Sequence, residues 1–502
     1  PASELTTTML DLGRFLAALF AGGQGPNGRV LRSETLNQMW GVQFGGPGAE
    51  SGFGLGFDIS RLEGRLRIGH SGWHYGFGTE VAALPAEQLG VAVSTTVDAA
   101  NAVTERIANE ALRLMLAAQE GRPLPALVTT APIPTETMRR LAGTYRGTRR
   151  AADLTVRDSA LWYQNVLGGM PAQLRFRGDT LVTDGRLAFG QRILWGRDYL
   201  VVQGDTLRRT PGAKPAELPE RWRGLIGEYG WDHDVLYILE REAKLYALIE
   251  WFALYPLTEQ PDGTFRFPDS GMYSGETVTF SRGPDGRATA AAVSAVVFRR
   301  RSVGPEDGSV FRIVPRRPIE DLRREAMAAT PPAQPARLLQ PDLVELTTLD
   351  PTIHLDIRYA TTGNFMGARM YSSARAFLQR PAAEALLRAH GALARHGYGL
   401  LIHDGYRPWY VTKVFWDATP GDQHMFVANP ARGSRHNRGS SVDLALYDVA
   451  TGRPVEFVSG YDEFSPRAYR DYPGGTALQR WHRDLLRRAM EAEGFRAILE
   501  EW

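Results

Sequence analysis

The chain has 502 residues, too many for one hydrophobic core, and this length predicts about three or four domains. Hydrophobic residues make up 43% and charged residues 23%, as in ordinary globular proteins, and the net charge of +2 gives no indication of a nucleic acid or an anionic membrane as a partner. The chain has no cysteine, which excludes disulfides and thiolate ligands, so a metal ion would have to be bound by His, Asp or Glu.

The sequence shows no membrane segment and no targeting segment. It contains no run of about 18–20 apolar residues, so no membrane-spanning helix is predicted. No signal peptide is visible, and the chain opens with Pro1 in the middle of a pattern. We therefore expect a fragment whose natural start lies upstream.

The first predicted domain covers residues 1–120 and mixes helices with strands. Its elements, predicted from apolar spacing, are a helix over 8–20, strands over 65–72 and 79–96, and a helix over 100–118. A proline-rich stretch over 121–135 follows and is typical of a linker.

An approximate internal repeat follows this linker. LAGTYRG at 141–147 recurs as LIGEYGW at 225–231, and both copies continue with alternating apolar residues and turn signals. The repeat predicts two small antiparallel β-barrels over 136–212 and 220–315, with Gly143 and Gly227 near their starts. The alternative is a pair of unrelated β-meanders.

The last predicted domain, residues 338–502, has an α+β pattern and follows a second linker, TPPAQPAR at 330–337. Its predicted elements are a strand-like region over 342–365, a helix over 380–397, a buried strand running into a turn over 399–409, and a helix over 476–495 ended by Gly494.

The stretch SRHNRGSSVDL, residues 434–444, carries the first chemical signal. A zinc hydrolase needs three protein ligands, an open position for water and a carboxylate that takes a proton from that water. His436 and Asp443 supply two ligands if small residues such as Gly439 let the backbone turn between them. Taken alone, this spacing is weak, and an ordinary structural pair is the alternative.

Four further blocks add to this signal: DIRYAT at 356–361, DGYRP at 404–408, GYDEF at 460–464, and GF followed by EEW at 494–502. In this order they resemble the zinc D-Ala-D-Ala dipeptidases of the vancomycin-resistance type. The resemblance implies six site residues: zinc ligands His436 and Asp443, general base Glu501, oxyanion-stabilising Arg407, and dipeptide-binding Ser434 and Asp462. Each has a structural alternative, such as a turn arginine, a turn-capping aspartate or a solvated terminal carboxylate.

The sequence departs from this family at its end. The family's third ligand is a histidine three residues after the catalytic glutamate, whereas this sequence stops at Trp502, one residue after it. His403, His424 and His482 match no ligand position. We therefore expect the missing ligand to follow Trp502, and the chain as written to bind zinc weakly and to be impaired as an enzyme.

The first 120 residues have a resemblance of their own. PASELTTTMLDLGRFL, SGFGLGF and IGHSGWHYGF resemble the C-terminal part of serine β-lactamase-like and penicillin-binding proteins. His70, Ser71 and Gly72 stand where that family has Lys-Thr-Gly. The nucleophile motif Ser-x-x-Lys does not occur in these residues, so this copy is not expected to acylate. The two β-units resemble the lipocalin-like modules that often follow such domains.

Together these resemblances imply a multidomain α+β protein of bacterial cell-wall metabolism that hydrolyses D-Ala-D-Ala with Zn²⁺. The expected partners are this dipeptide and peptidoglycan, without nucleic acid. A periplasmic or cell-envelope location is expected, with the cytoplasm as the alternative. Two other functions stay open: a serine DD-peptidase or esterase with an accessory domain, and a non-catalytic peptidoglycan-binding protein.

Overall fold

The computed structural model divides the chain into two compact units, residues 1–212 and 213–502. The first unit contains the first two predicted domains, and the second unit contains the other two. The structure describes residues 6–44, 46, 48–157, 159–166, 168–210, 212–305, 308–333 and 340–501. The second predicted linker and the start of the last predicted domain at 338 therefore lie partly outside the described residues.

The N-terminal domain is a five-stranded antiparallel sheet, in the order β3-β4-β5-β6-β7, with helices packed on it. The predicted helices and strands of this region are confirmed. Its elements are α1 (Met9–Phe20), β1 (Gln24–Gly25), β2 (Gly28–Arg29), α2 (Ser33–Met39), β3 (Gly52–Phe53), β4 (Asp58–Leu62), β5 (Arg65–His74), β6 (Phe77–Leu84), β7 (Leu89–Thr95) and α3 (Asn101–Gln119).

Helix α3 joins this sheet through one apolar face. Ala108, Leu112 and Leu116 recur every four residues and are fully or almost fully buried. They form one hydrophobic cluster with Leu84 of β6 and Leu62 of β4. The helical spacing in the sequence therefore corresponds to a face that packs on the sheet.

The first β-unit is a closed barrel of eight antiparallel strands, in which β15 pairs with β8. Its elements are α4 (Thr135–Leu141), β8 (Gly143–Arg146), β9 (Ala151–Arg157), β10 (Ala160–Asn165), β11 (Ala172–Arg177), β12 (Thr180–Asp184), β13 (Phe189–Trp195), β14 (Tyr199–Val202) and β15 (Asp205–Arg209). Inward-facing side chains pack into one core, as eight-stranded barrels allow. The predicted barrel is confirmed here, and its lipocalin-like character stays a prediction.

The second β-unit differs from the predicted single barrel, because its strands form one four-stranded and one five-stranded antiparallel sheet. The strands are β16 (Gly227–Trp231), β17 (Asp234–Arg241), β18 (Lys244–Ile249), β19 (Ala253–Pro256), β20 (Thr258–Glu259), β21 (Phe265–Arg266), β22 (Thr277–Arg282), β23 (Ala288–Val293) and β24 (Val296–Arg299). The chain leaves the first sheet after β19, which pairs with β18, and enters the second sheet at β20, which pairs with β21. A bridge between Tyr229 and Arg300 joins the two sheets elsewhere.

A buried tyrosine marks the start of both β-units and supports the internal repeat. The Tyr145 hydroxyl donates to the carbonyl of Leu141 at 2.8 Å, and the Tyr229 hydroxyl donates to that of Leu225 at 2.6 Å. Both tyrosines are fully buried. Each hydroxyl therefore satisfies a carbonyl at the same place in its copy.

An arginine from the last strand region also bonds to the start of each β-unit, next to the buried tyrosine. We call this place the corner of the unit. The Arg209 guanidinium donates to the carbonyls of Arg140 and Ala142. The Arg300 guanidinium donates to the carbonyls of Gly224 and Ile226, which are the corresponding positions of the second copy. The repeat in the sequence is therefore also a repeat of hydrogen bonds.

The C-terminal domain surrounds a three-stranded sheet, in the order β26-β28-β29, with a separate β25-β27 pair. Its elements are α5 (Ile319–Ala328), β25 (Leu343–Glu345), α6 (Leu346–Leu349), β26 (His354–Leu355), β27 (Phe377–Gln379), α7 (Arg380–Ala394), β28 (Tyr398–Asp404), α8 (Trp409–Ala418), β29 (Asp443–Asp448) and α9 (Ala477–Ala492). Every residue of β28 is buried, and α7 and α9 contribute to the same core. The predicted buried strand and both predicted helices are confirmed.

The prediction of strand-like structure throughout 342–365 is wrong. This region contains only the short β25 and β26, separated by helix α6 and a turn. Asp350 precedes Pro351, and its side chain accepts a hydrogen bond from the Thr352 N–H at 2.9 Å. This hydrogen bond is typical of a turn, and Pro351 has no N–H for strand pairing. A continuous strand therefore cannot pass through this point. Among the described residues, no helix is both long and apolar enough to cross a membrane.

Tyr145→Phe tests the corner hydrogen bond of the first barrel. Removing the hydroxyl leaves the buried Leu141 carbonyl without this donor, which should lower the free energy of unfolding by about 1–3 kcal/mol. Tyr199→Phe, at an exposed tyrosine of the same barrel, should change it by less than about 0.5 kcal/mol. Urea unfolding of both variants measures the difference, and equal effects would show that the corner bond is unimportant.

Candidate metal centre and active site

The end of β28 and the start of β29 bring two of the sequence blocks together. The two strands are antiparallel, and Asp404 lies opposite Asp443 after an irregularity in the register between Ile402 and Asp404. DGYRP therefore leaves the sheet at the point where SRHNRGSSVDL enters it. This edge carries the candidate site.

His436 opens a short 3-10 turn, His436–Arg438, in front of β29. The Ser434 hydroxyl accepts a hydrogen bond from the His436 N–H at 3.2 Å and so fixes the start of the turn. Gly439 ends the turn at φ 65, and a Cβ there would lie 2.6 Å from a Leu343 methyl carbon. The predicted requirement for a small residue between the two ligands is thus met at Gly439.

The His436 ring is oriented by the backbone. Its Nδ1 lies 2.7 Å from the Gly405 carbonyl oxygen, which can only accept, so we assign the proton to Nδ1. Nε2 is then the ring atom that remains for a second partner, and it lies 3.1 Å from Oδ1 of Asp443. The two predicted ligands therefore present their donor atoms to each other.

Arg407 occupies the interior behind this pair and is only 8% exposed. Its Nε donates to Asp404 at 2.8 Å, and its Nη2 donates to Oδ2 of Asp443 at 3.1 Å. The guanidinium also lies 5.5 Å from the centre of the Tyr359 ring and 5.0 Å from that of Phe415. Burial would lower the pKa of Arg407, but Asp404 and the other neighbours raise it well above the ordinary value.

Asp443 thus has two partners, one on each carboxylate oxygen. Burial alone would raise the pKa of Asp443, but His436 and Arg407 lower it to about 2. The carboxylate is therefore ionised at neutral pH, which is the form that binds a metal ion.

Asp404 is a site residue that the sequence analysis missed. It is almost fully buried, accepts from the Gly405 N–H at 2.9 Å and from the Tyr371 hydroxyl at 2.9 Å, and pairs with Arg407. Its position in DGYRP, three residues before Arg407, was the available signal. Asp404, His436 and Asp443 form a group whose potential ligand atoms lie within 4.8 Å of one another.

Asp462 lies in the loop 459–465 and faces the same cluster. Its backbone has φ 48, in the left-handed region, and its carboxylate accepts a hydrogen bond from the Tyr359 hydroxyl at 2.6 Å. Burial and the nearby Asp443 raise the pKa of Asp462 to about 7. Asp462 is therefore a further acid near Asp404 and Asp443, and no ion pair among the described residues includes it.

Glu501 approaches the site from the C-terminal segment. The residue is exposed as a whole, but Glu501, Asp443 and Asp462 line the same groove. Desolvation of the carboxylate and the charges of Asp443 and Asp462 raise the pKa of Glu501 to about 8, although His436 and Arg407 act in the opposite direction. Glu501 is thus a fourth carboxyl group near the predicted pair, after Asp404, Asp443 and Asp462.

The residues present fit a zinc ion. Tetrahedral zinc bonds of roughly 2.0–2.2 Å place neighbouring ligand atoms about 3.3–3.5 Å apart, close to the separation of His436 Nε2 and Asp443 Oδ1. The Gly405 carbonyl orients the histidine in the way that outer-shell partners of metal-bound histidines do. Asp404 is bonded to Arg407, Tyr371 and the Gly405 N–H, and the expected weak binding of zinc stays a prediction.

The three histidines of the C-terminal domain that match no ligand position in the sequence have structural partners. His482 bonds to the Tyr398 hydroxyl at 2.9 Å, and His424 bonds to the carbonyls of Trp416 and Thr419. His403 lies 3.5 Å from the carboxylate of Asp356.

The His70-Ser71-Gly72 motif lies on β5 in the middle of the N-terminal sheet. His70 is exposed, and its Nδ1 lies 2.6 Å from the carbonyl oxygen of Ser71. The motif thus has the predicted place on a strand.

Two family profiles match the chain at its two ends. Residues 340–502 match the family described as D-ala-D-ala dipeptidase, and residues 1–116 match the β-lactamase family. The profiles agree with the two resemblances drawn from the motifs.

Curated relatives match the C-terminal part. The D-alanyl-D-alanine dipeptidase of Escherichia coli (strain K12) is 32% identical over 161 residues, which cover 32% of this chain and 82% of that protein. The D-alanyl-D-alanine dipeptidase of Enterococcus faecium is 34% identical over 180 residues, covering 32% of this chain and 89% of that protein. The solved octameric penicillin-binding protein homologue from Pyrococcus abyssi aligns with 40% of this chain and 46% of its own, at 18% identity and a TM-score of 0.21.

Asp404→Ala tests the dependence of the buried arginine on its carboxylates. Arg407 would keep only Asp443, so the free energy of unfolding should fall by about 3–5 kcal/mol. Asp417→Ala is the control, because Asp417 pairs with Lys413 where both side chains are 26% exposed, and this loss should stay below about 1 kcal/mol. Urea unfolding that shows equal losses for the two variants would contradict the role of Asp404.

Proposed function

Since the chain belongs to the D-Ala-D-Ala dipeptidase family through its C-terminal domain, we propose that it hydrolyses the dipeptide D-alanyl-D-alanine with a bound zinc ion in bacterial cell-wall metabolism. The observation that carries this proposal is the convergence of His436, Asp443 and Arg407 in one buried cluster. A cell-envelope location belongs to the same proposal.

His436 and Asp443 would hold the zinc ion, His436 through Nε2 and Asp443 through Oδ1. A bound zinc ion supplies Lewis acidity, which polarises a carbonyl and lowers the pKa of a bound water. Arg407 keeps Oδ2 of Asp443 engaged, so Oδ1 stays turned towards His436. The arginine thus acts first as a positioning residue for a ligand.

Arg407 also has a second role in this proposal. When water attacks the scissile carbonyl, negative charge develops on the carbonyl oxygen. A guanidinium that cannot lose its proton stabilises that charge if the oxygen lies close to it. The burial of Arg407 strengthens this interaction, because little water screens the charge.

Glu501 is proposed as the general base. Its carboxylate accepts a proton from the attacking water, and the protonated carboxyl then donates to the leaving amine. Groups with a pKa near the working pH perform both transfers well, and the environment raises the pKa of Glu501 in that direction.

Asp462 and Ser434 are proposed to bind the two ends of the dipeptide. Asp462 lies near the carboxylate of Asp443 and belongs to no ion pair in the described part of the chain, so the free ammonium group of a dipeptide would compensate its charge. The Ser434 oxygen accepts from the His436 N–H, which leaves its O–H to donate to a substrate oxygen. A requirement for a free ammonium group favours dipeptides over longer peptides.

Glu501→Gln tests the general base. The amide keeps the shape of the side chain but cannot take the proton, so kcat for D-Ala-D-Ala should fall by about 10²–10⁴-fold while zinc affinity stays within a few-fold. Glu500→Gln removes the same charge one residue away and should retain activity. Release of D-Ala and zinc titration measure the two effects, and full activity of Glu501→Gln would refute the assignment.

Asp462→Asn tests the ammonium site. A charge-assisted contact is worth about 1.5–3 kcal/mol, so KM for D-Ala-D-Ala should rise by roughly 10–100-fold with a smaller change in kcat. The wild-type protein should discriminate against N-acetyl-D-Ala-D-Ala, and the variant should lose much of this preference. Asp422→Asn, at an exposed aspartate, is the matched control. An unchanged preference in Asp462→Asn would assign amine recognition to another residue.

A further inference from the structure

The two β-units differ in net charge, although the net charge of the whole chain is small. Residues 136–212 contain thirteen arginines and seven acidic residues, a net charge of +6. Residues 220–315 contain eleven basic and fourteen acidic residues, a net charge of −3. Because the two units are repeats of one motif, the motif itself does not require the positive charge of the first unit.

Part of this charge lies on one side of the first barrel, across the adjacent strands β13, β14, β15 and β8. Exposed and buried residues alternate along these strands, which identifies the side chains that point outwards. We call these side chains the basic face: Arg192, Leu194, Tyr199, Val201, Thr206, Arg208, Thr144 and Arg146. No carboxylate belongs to this set.

Cross-strand pairing arranges side chains of the basic face in rows that run across neighbouring strands. In the first row, Tyr199 lies opposite Arg208, and Arg208 lies opposite Arg146. The two arginines therefore bring two positive charges close together on the same wall of the barrel. An anionic surface that lies against this wall would contact both guanidinium groups at once.

The second row is apolar in part. Leu194 lies opposite Val201 on the neighbouring strand, and Arg192 precedes Leu194 by two residues on the same side of β13. Leu194 is 51% exposed and Tyr199 is 41% exposed. Apolar and aromatic side chains thus stand between arginines on the convex outer wall of a closed barrel.

We propose that the basic face is a docking surface for an anionic lipid bilayer. Guanidinium groups bind lipid phosphates, while the leucine and the tyrosine enter the headgroup region, where amphipathic rings are stable. A soluble polyanion would use the arginines alone and leave Leu194 and Tyr199 without a partner. This inference concerns attachment and does not depend on the proposed chemistry of the C-terminal domain.

Sedimentation with lipid vesicles tests the proposal on the whole protein. The protein should bind vesicles made of equal parts phosphatidylglycerol and phosphatidylcholine, should not bind pure phosphatidylcholine, and should dissociate as salt is added. The triple variant Arg146→Gln, Arg192→Gln, Arg208→Gln should bind roughly 100-fold more weakly, since each arginine near the surface contributes about fivefold. The variant Leu194→Ser, Tyr199→Ser should also weaken binding, with a smaller effect of salt.

The charge-matched control is Arg299→Gln, Arg395→Gln, Arg488→Gln, at three exposed arginines of the other unit. It should bind vesicles within a few-fold of the wild type. An equal loss in both triple variants would overturn the proposal, because net charge and not the basic face would then explain binding. Binding to soluble polyphosphate or duplex DNA without binding to vesicles would overturn it as well. Circular dichroism of each variant shows that the barrel is folded.

Discussion

The candidate site depends on the compensation of one buried positive charge. Arg407 keeps its proton under all ordinary conditions, and an unpaired charge at its depth would cost several kcal/mol. Asp404 and Asp443 compensate it from two sides. This pairing turns the second oxygen of Asp443 towards His436, so the geometry of the proposed metal site follows from the neutralisation of the arginine.

Regular elements with a clear apolar period could be predicted from the sequence. The helix α9 shows such a period, and the buried strand β28 is a short apolar run, whereas the region 342–365 contains a turn at Asp350 and Pro351. The second β-unit contains the same repeat signals as the first, yet its strands form two sheets that divide between β19 and β20. The alternation of apolar residues predicts strands, but it does not say which neighbour each strand pairs with.

The site could be predicted only in part for a similar reason. The spacing of His436 and Asp443 on either side of Gly439 is a local signal, and it corresponds to a local contact. Asp404 pairs with Arg407 within DGYRP, but its contact with Tyr371 and its place opposite Asp443 join residues that are distant in sequence, and the short motif does not reveal them. The local charge of the first β-unit could have been counted from the sequence, but its arrangement on one face required the pairing of strands across the closed barrel.

The central claim is that the His436–Asp443 pair binds a zinc ion on which hydrolysis of D-Ala-D-Ala depends. The most direct test removes metal from the purified protein with a chelator, measures release of D-Ala, and repeats the measurement after zinc is added back. Our account predicts that activity disappears with the metal and returns with zinc, and that His436→Ala prevents the return. Undiminished activity in the presence of the chelator would contradict it.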